Sequence, residues 1–122
     1  MKESINTSRT YAVAGASADT SKYGYKVFSD LKKKGCTVIP INPKGGVLEG
    51  IPVATDITSI ASEVDVLVVV TRPHVTDRIV RTAISEGIRH IWMQPGSFND
   101  DIIEYCDDHD IKVIAGACIM TA

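Results

Sequence analysis

The sequence contains no long apolar run and no excess of either charge. No apolar stretch approaches the ~18–20 residues that cross a membrane, and the polar start MKESINTSRT lacks the apolar segment of a secretory signal. The 13 basic and 15 acidic residues give a net charge of −2, which offers no broad attraction to nucleic acid or to an anionic membrane. We therefore expect a cytoplasmic protein in which residues 1–8 form a short polar leader.

The cysteines are few and isolated. Cys36, Cys106 and Cys118 lie far apart, and no C-x-x-C pair occurs. An odd number at this spacing argues against a disulfide framework or a zinc site and fits a reducing compartment. Since no cluster of His, Cys, Asp and Glu has the spacing of metal ligands either, we expect no metal site.

What the sequence does contain is an alternation of short apolar runs and amphipathic segments, which is typical of βαβ units. Its 122 residues suffice for one domain with a core. The apolar runs predict five strands, at residues 10–14, 37–41, 66–70, 90–93 and 112–117. We predict a single α/β domain over residues 9–122, a doubly wound, Rossmann-like parallel sheet with strand order 3-2-1-4-5.

The segments between these strands predict three helices, at residues 25–34, 75–85 and 100–109, with Ser97 or Asn99 capping the last. The stretch GGVLEGIPV predicts a loop or a small hairpin, and residues 57–62 a short helical turn. Pro40 is awkward inside the second strand because it has no N–H for a sheet hydrogen bond. We place it near the carboxyl end of that strand.

Ligands of such sheets bind at the carboxyl ends of the strands, where the strand order reverses, here between the first and fourth strands. This rule selects five loops, at residues 15–24, 42–44, 71–74, 93–98 and 116–120.

The first of these loops departs from the dinucleotide fingerprint G-x-G-x-x-G, because Ser17 stands where the second glycine belongs. Helix N–H groups together with the hydroxyls of Ser17, Thr20 and Ser21 suit a diphosphate. An ordinary turn, whose polar residues cap the following helix, uses the same residue types. The loop alone does not decide between the two.

The second loop carries Lys44 where an NAD site carries an acidic residue for the ribose. A cation at this position favours a ribose phosphate, which means NADP or the 3′-phospho-ADP of coenzyme A (CoA). The alternative is a surface lysine after a proline turn.

Three further loops place polar groups at the same edge. Thr71 and Arg72 follow the third strand, and Gln94, which donates and accepts hydrogen bonds, follows the fourth. Cys118 follows the fifth strand. It is interpreted either as a small buried cysteine or as a thiol near a thiol-bearing ligand.

Taken together, these stretches resemble the CoA-binding domain family, small Rossmann-like proteins similar to the N-terminal domain of the succinyl-CoA synthetase α-subunit. The matching stretches are AVAGAS, VIPINPK, HIWMQPGSFND and KVIAGACIM, which together span residues 11–120. The resemblance implies that residues 15–20 hold the CoA pyrophosphate and that Lys44 holds the 3′-phosphoadenosine end. It implies that residues 71–73 line the adenine side and residues 93–95 the pantetheine path.

The resemblance brings no catalytic apparatus, because the phosphorylated histidine of the synthetase comes from a separate domain that nothing here matches. We therefore expect a stand-alone protein that binds CoA or acyl-CoA, without catalytic residues of its own. The implied cofactor-binding residues are Gly15, Ala16, Ser17, Ala18, Asp19, Thr20, Tyr23, Gly24, Lys44, Thr71, Arg72, Pro73, Met93, Gln94, Pro95 and Cys118.

Other functions stay open. One is a small NADP-dependent oxidoreductase, although one nucleotide-binding sheet uses nearly the whole chain and Tyr23 is followed by Val27 rather than by the lysine of a Tyr-x-x-x-Lys pair. Another is a thiol-redox protein in which Cys118 forms a mixed disulfide with CoA, and a third is an interaction protein that has lost its ligand. The sequence is compatible with a homo-oligomer or with an unidentified protein partner.

Overall fold

The computed structural model describes residues 5–122. The strands within this range are β1 (Thr10–Ala14), β2 (Thr37–Ile41), β3 (Val47–Leu48), β4 (Ile51–Pro52), β5 (Val66–Val69), β6 (His90–Met93) and β7 (Lys112–Ala115). The helices are α1 (Tyr23–Lys33), α2 (Pro73–Ser85) and α3 (Asp100–Asp108), with 3-10 turns at Ala61–Glu63 and Ile119–Thr121. Five strands form a parallel sheet, and β3 and β4 form a small antiparallel hairpin.

The sheet separates two apolar layers, as a doubly wound fold requires. On one face Ala12 and Leu67 pack with residues of α2 and α3, and on the other Val13 and Val68 pack with residues of α1. Every residue of β5 is at most 1% exposed, because helices cover the sheet on both sides. The predicted Rossmann-like α/β class is therefore confirmed, as are the five parallel strands.

The predicted strand order is wrong. The sheet runs β2-β1-β5-β6-β7, which is 2-1-3-4-5 when the five central strands are counted along the chain, not 3-2-1-4-5. Pro40 supplies a physical reason. Its carbonyl faces away from β1 and accepts from Ala54 N at 2.9 Å, so its nitrogen faces the same outer side and has no N–H for a further strand. A strand of this kind belongs at the edge of the sheet, where β2 lies.

The observed strand order changes where along the carboxyl edge of the sheet a ligand is expected to bind. The strand order reverses between β1 and β5, not between the first and fourth strands as predicted. The loops after these two strands, at residues 15–22 and 70–72, therefore lie side by side at the carboxyl edge of the sheet.

The helices begin close to the predicted positions. Helix α1 begins at Tyr23 and α2 at Pro73, each two residues before the predicted start. Pro73 is the first residue of its helix, where its missing N–H costs nothing. Asn99, one of the two predicted caps, accepts from Ile102 N at 3.0 Å. Within residues 5–122, none of the helices has the length and apolar character of a bilayer-crossing segment.

Candidate functional site

The turn after β1 packs backbone against backbone. Gly15 has φ of +96°, and a Cβ there would lie 2.6 Å from the Val70 oxygen. Gly24, in the first turn of α1, lies so close to this turn that its Cβ would be 1.9 Å from the Gly15 oxygen. The two glycines thus hold β1, β5 and α1 at distances that no side chain permits, as the fingerprint glycines do in dinucleotide sites.

The rest of the first loop is ordered by its own polar groups. Asp19 accepts hydrogen bonds from Ser21 N at 3.0 Å and Ser21 Oγ at 2.7 Å, and Ser17 Oγ accepts from Asp19 N at 3.0 Å. The Ser21 hydrogen bonds lower the pKa of Asp19, so the carboxylate is charged at neutral pH. Lys22 precedes α1, and no side chain caps that helix. The alternative of an ordinary turn, whose polar residues cap the helix, therefore does not describe this loop.

A central cleft of about 320 Å³ opens between this loop, the end of β5 and the loop after β6. The predicted residues that line it are Gly15, Ser17, Tyr23, Gly24, Thr71, Arg72 and Pro95. Lys22, Val70, Gly96 and Ser97 also line it and were not among the predicted site residues. The central cleft therefore has a cation on either side, Lys22 on the first loop and Arg72 before α2.

A second cleft of about 280 Å³, which we call the lysine cleft, lies between the first loop and the loop after β2. Its predicted residues are Ser17, Ala18, Asp19 and Lys44. Asn42 joins the two loops, because its Nδ2 donates to the Ala16 oxygen at 2.7 Å and its Oδ1 accepts from Lys44 N at 2.9 Å. Sequence reasoning placed Asn42 in the right loop but gave it no part in the site.

A third cleft of about 270 Å³, the apolar cleft, lies on the α2 side of β1. Its walls include Ile41, Ile57, Val75 and Ile79, and Arg78 lies at its rim. It adjoins the central cleft, since Gly15 and Thr71 line both. Sequence reasoning missed it, because part of its wall comes from the connection between β2 and β5, which has no periodic pattern to predict its path.

A side-chain cluster beside the central cleft consists of Tyr23, Gln94 and Cys118. Gln94 is completely buried, and its Nε2 lies 2.7 Å from Tyr23 Oη and 3.2 Å from Cys118 Sγ. Its Oε1 accepts from Ile119 N at 2.9 Å, which fixes the orientation of the amide. Tyr23 Oη in turn lies 3.0 Å from Cys118 Sγ. The sequence put each of the three at the site, and the structure brings them into contact.

The cluster changes the acidity of its members. Burial, followed by the contact with Cys118, raises the pKa of Tyr23 to about 12, so this phenol stays protonated. Partial burial of Cys118 favours its neutral thiol, but hydrogen bonds from Tyr23, the Met120 backbone and Gln94 together hold the pKa below its usual value. Burial instead raises the pKa of Cys36, and that of Cys106 to about 11.

The remaining predicted residues lie apart from the clefts. Ala16 is buried, and its carbonyl is the acceptor for Asn42, while Thr20 is exposed on the first loop. Pro73 starts α2, and Met93 is fully buried in the layer formed with α2 and α3. Over residues 5–122, no three His, Cys, Asp or Glu side chains come together as a metal site would require.

Comparison with known proteins gives a family. The sequence model of the CoA binding domain family matches residues 9–122. The chain therefore belongs to this family. A solved structure of a conserved hypothetical protein from Pyrococcus furiosus, Pfu-723267-001, superposes with a TM-score of 0.90 at 32% identity, covering 93% of this chain and 97% of that one.

Two curated relatives differ in length. The α subunit of acetate–CoA ligase (ADP-forming) II from Pyrococcus furiosus is 24% identical over 122 residues, which cover 91% of this chain but only 27% of that subunit. The Bacillus subtilis protein YneT is 22% identical over the whole of this chain and 90% of its own. The chain thus spans about a quarter of the length of the ligase subunit and most of the length of YneT.

Proposed function

We propose that this member of the CoA binding domain family binds CoA or acyl-CoA across the three clefts, as a binding protein without catalytic residues of its own. The observation that carries the proposal is the continuity of the clefts at the carboxyl edge of the sheet. Ser17 lines both the central and the lysine cleft, and Gly15 and Thr71 line both the central and the apolar cleft. One extended ligand with an apolar ring, a diphosphate and a further phosphate matches this arrangement.

The diphosphate suits the central cleft. Lys22 and Arg72 supply two cations, and the first turn of α1 has no side-chain cap to occupy its N–H groups. The tight packing of Gly15 and Gly24 brings backbone close to a ligand at this point. This pairing of cations with helix N–H groups favours a doubly charged diphosphate over a neutral ligand.

The adenosine end of CoA suits the apolar cleft and the lysine cleft, which both adjoin the central cleft. The aliphatic walls of the apolar cleft, Ile41, Ile57 and Val75 among them, fit the faces of a purine ring. Pro43 lines that cleft, and the next residue, Lys44, lines the lysine cleft. A 3′-phosphate on the ribose of a purine held by Pro43 would thus be within the region of the Lys44 ammonium.

The pantetheine arm suits the far side of the central cleft. Pro95 and Gly96 form its wall there, with Tyr23 opposite them on α1. The fully buried side chain of Met93 is not on this surface, so the path we propose uses Pro95 and Gly96 in its place.

Isothermal titration calorimetry of the reduced protein with CoA, NADP and NAD tests the ligand class. We expect CoA to bind most tightly, because only CoA combines the 3′-phosphate with an arm for the Pro95–Gly96 wall. Tighter binding of NADP than of CoA would favour the oxidoreductase alternative. No measurable heat with CoA, from protein shown by circular dichroism to be folded, would contradict the proposal.

A further inference from the structure

The nucleotide site proposed above uses Tyr23 only as part of a cleft wall and leaves its two partners in the cluster, Gln94 and Cys118, without a role. Its members come from three parts of the chain: the start of α1, the residue after β6 and the segment after β7. A fully buried glutamine directs its amide N–H groups at a hydroxyl and a sulfur, with its oxygen held by Ile119 N. Such an arrangement surrounds one sulfur atom with hydrogen-bond donors.

The cluster adjoins the space where a ligand would lie. Tyr23 lines the central cleft, and so does Pro95, the residue after Gln94. Cys118 is partly exposed, whereas Cys36 is 8% and Cys106 0% exposed. Cys118 is therefore the most exposed of the three thiols, and its sulfur contacts Tyr23, which lines the central cleft. The ligand proposed for that cleft ends in a sulfur.

We infer that Cys118 takes up CoA from a disulfide of CoA in one stoichiometric thiol–disulfide exchange, and that Tyr23 and Gln94 position its thiolate. This inference rests on the proposed function, because the CoA part of the disulfide is what brings the reacting sulfur into the central cleft. A disulfide that lacks a nucleotide would gain nothing from that cleft.

The reaction balances without a further reagent. The Cys118 thiolate attacks one sulfur of the CoA disulfide, a protein–CoA disulfide bond forms, and the original S–S bond breaks. The leaving CoA thiolate takes the bonding electron pair and a proton from solvent, so one CoA sulfur is reduced as Cys118 is oxidised. A second thiol reverses the step by attacking the protein–CoA disulfide.

Tyr23 and Gln94 stabilise the thiolate of Cys118, which is the form that attacks a disulfide. Tyr23 Oη at 3.0 Å and Gln94 Nε2 at 3.2 Å from Sγ stabilise a thiolate more than a thiol, because hydrogen bonds to a charged acceptor are the stronger ones. The lowered pKa of Cys118 agrees with this geometry. A larger thiolate fraction at neutral pH raises the rate of exchange.

The test uses the reduced full chain incubated with CoA disulfide at neutral pH and followed by intact-mass spectrometry. We expect the mass of the protein to increase by that of one CoA less two hydrogens, at a rate that saturates with CoA disulfide concentration. Reductant should remove the adduct, and protease mapping of the wild-type protein should locate it on Cys118. The Cys118→Ser variant should give no saturable adduct.

Two further variants distinguish an effect of Tyr23 on the Cys118 thiolate from an effect on folding. Tyr23→Phe should slow adduct formation about tenfold, because the thiolate loses one charged hydrogen bond. The midpoint of its rate against pH should move upward, which a change in folding alone would not cause. Tyr25→Phe is the matched control, since Tyr25 donates to Glu49 and does not touch the cluster. Its rate and its pH profile should equal those of the wild-type protein.

Calorimetry with reduced CoA distinguishes a failure of the inference about Cys118 from a failure of the proposed CoA-binding function. If CoA binds but Cys118 forms no adduct, or reacts with CoA disulfide no faster than with hydroxyethyl disulfide, the inference is overturned and the proposed function stands. If CoA does not bind and the two disulfides react equally, both are overturned. Binding together with a saturable adduct on Cys118 supports both.

Discussion

The two loops that flank the proposed phosphate sites both contain glycine, but for different physical reasons. In the first loop and the helix after it, a Cβ on Gly15 or Gly24 would meet backbone atoms at 2.6 Å and 1.9 Å. In the loop after β2, Gly46 has φ of +95°, and a Cβ there would meet nothing within 4 Å. The first pair is needed for close packing, and Gly46 only for its backbone conformation. A side chain at Gly15 or Gly24 would therefore push backbone segments apart, whereas one at Gly46 would meet only the strain of its positive φ.

Gly24→Ala should have the largest effect on stability. Its Cβ would lie 1.9 Å from the Gly15 oxygen, and since both partners are backbone, α1 would have to move away from β1. We expect a loss of roughly 4 kcal/mol in the free energy of unfolding, measured by urea denaturation. Lys26→Ala, at an exposed position of the same helix, is the control and should change it by less than about 0.5 kcal/mol. Equal effects of the two variants would show that α1 is not held by this contact.

Gly15→Ala should have the second-largest effect. We expect it to lower the free energy of unfolding by roughly 3 kcal/mol, because a positive φ is combined with a close contact to backbone. Its Cβ would lie 2.6 Å from the Val70 oxygen and 3.0 Å from Thr71 Cγ2. Thr71→Ser removes the second contact but leaves the first, so adding it to Gly15→Ala should restore little stability. Full recovery of stability in the double variant would contradict the view that the Val70 backbone, directly after β5, sets this distance.

Asn42→Ala should lower the free energy of unfolding by roughly 1.5 kcal/mol, because it removes the donor to the Ala16 oxygen and the acceptor for Lys44 N. Asn42→Asp keeps an acceptor for Lys44 N but turns an oxygen toward the Ala16 carbonyl. We expect it to be at least as destabilising in the same urea titration. An Asp variant milder than the Ala variant would mean that the link between the two loops contributes little.

Gly46→Ala should have the smallest effect. We expect it to lower the free energy of unfolding by roughly 1 kcal/mol, because only the positive φ disfavours alanine there. Gly46→Asn should cost less, because asparagine adopts positive φ more readily than alanine. Thermal denaturation of the two variants checks this order. A loss as large as that of Gly15→Ala would show that the loop after β2 is also held by close packing.

The sequence was enough to predict the five strands of the parallel sheet, because each is a short apolar run and the central strand β5 is buried on both faces. The strand order was predicted wrongly, although Pro40 pointed to the correct place of its strand, because a proline whose nitrogen faces outward belongs to an edge strand. The apolar cleft escaped prediction because Ile57 comes from an irregular connection whose path depends on the whole fold. The contacts among Tyr23, Gln94 and Cys118 escaped it as well, because 95 residues separate the first from the last and only the packed sheet joins them.

The central claim is that Lys44 makes this a site for a 3′-phosphorylated nucleotide, and calorimetry with CoA and 3′-dephospho-CoA tests it directly. We expect the wild-type protein to bind CoA more tightly by about 1.5–3 kcal/mol, the value of a charged hydrogen bond. Lys44→Ala should remove most of this difference, whereas Lys33→Ala, at an exposed position in the last turn of α1, should preserve it. Equal affinities of the wild-type protein for the two ligands would contradict the claim.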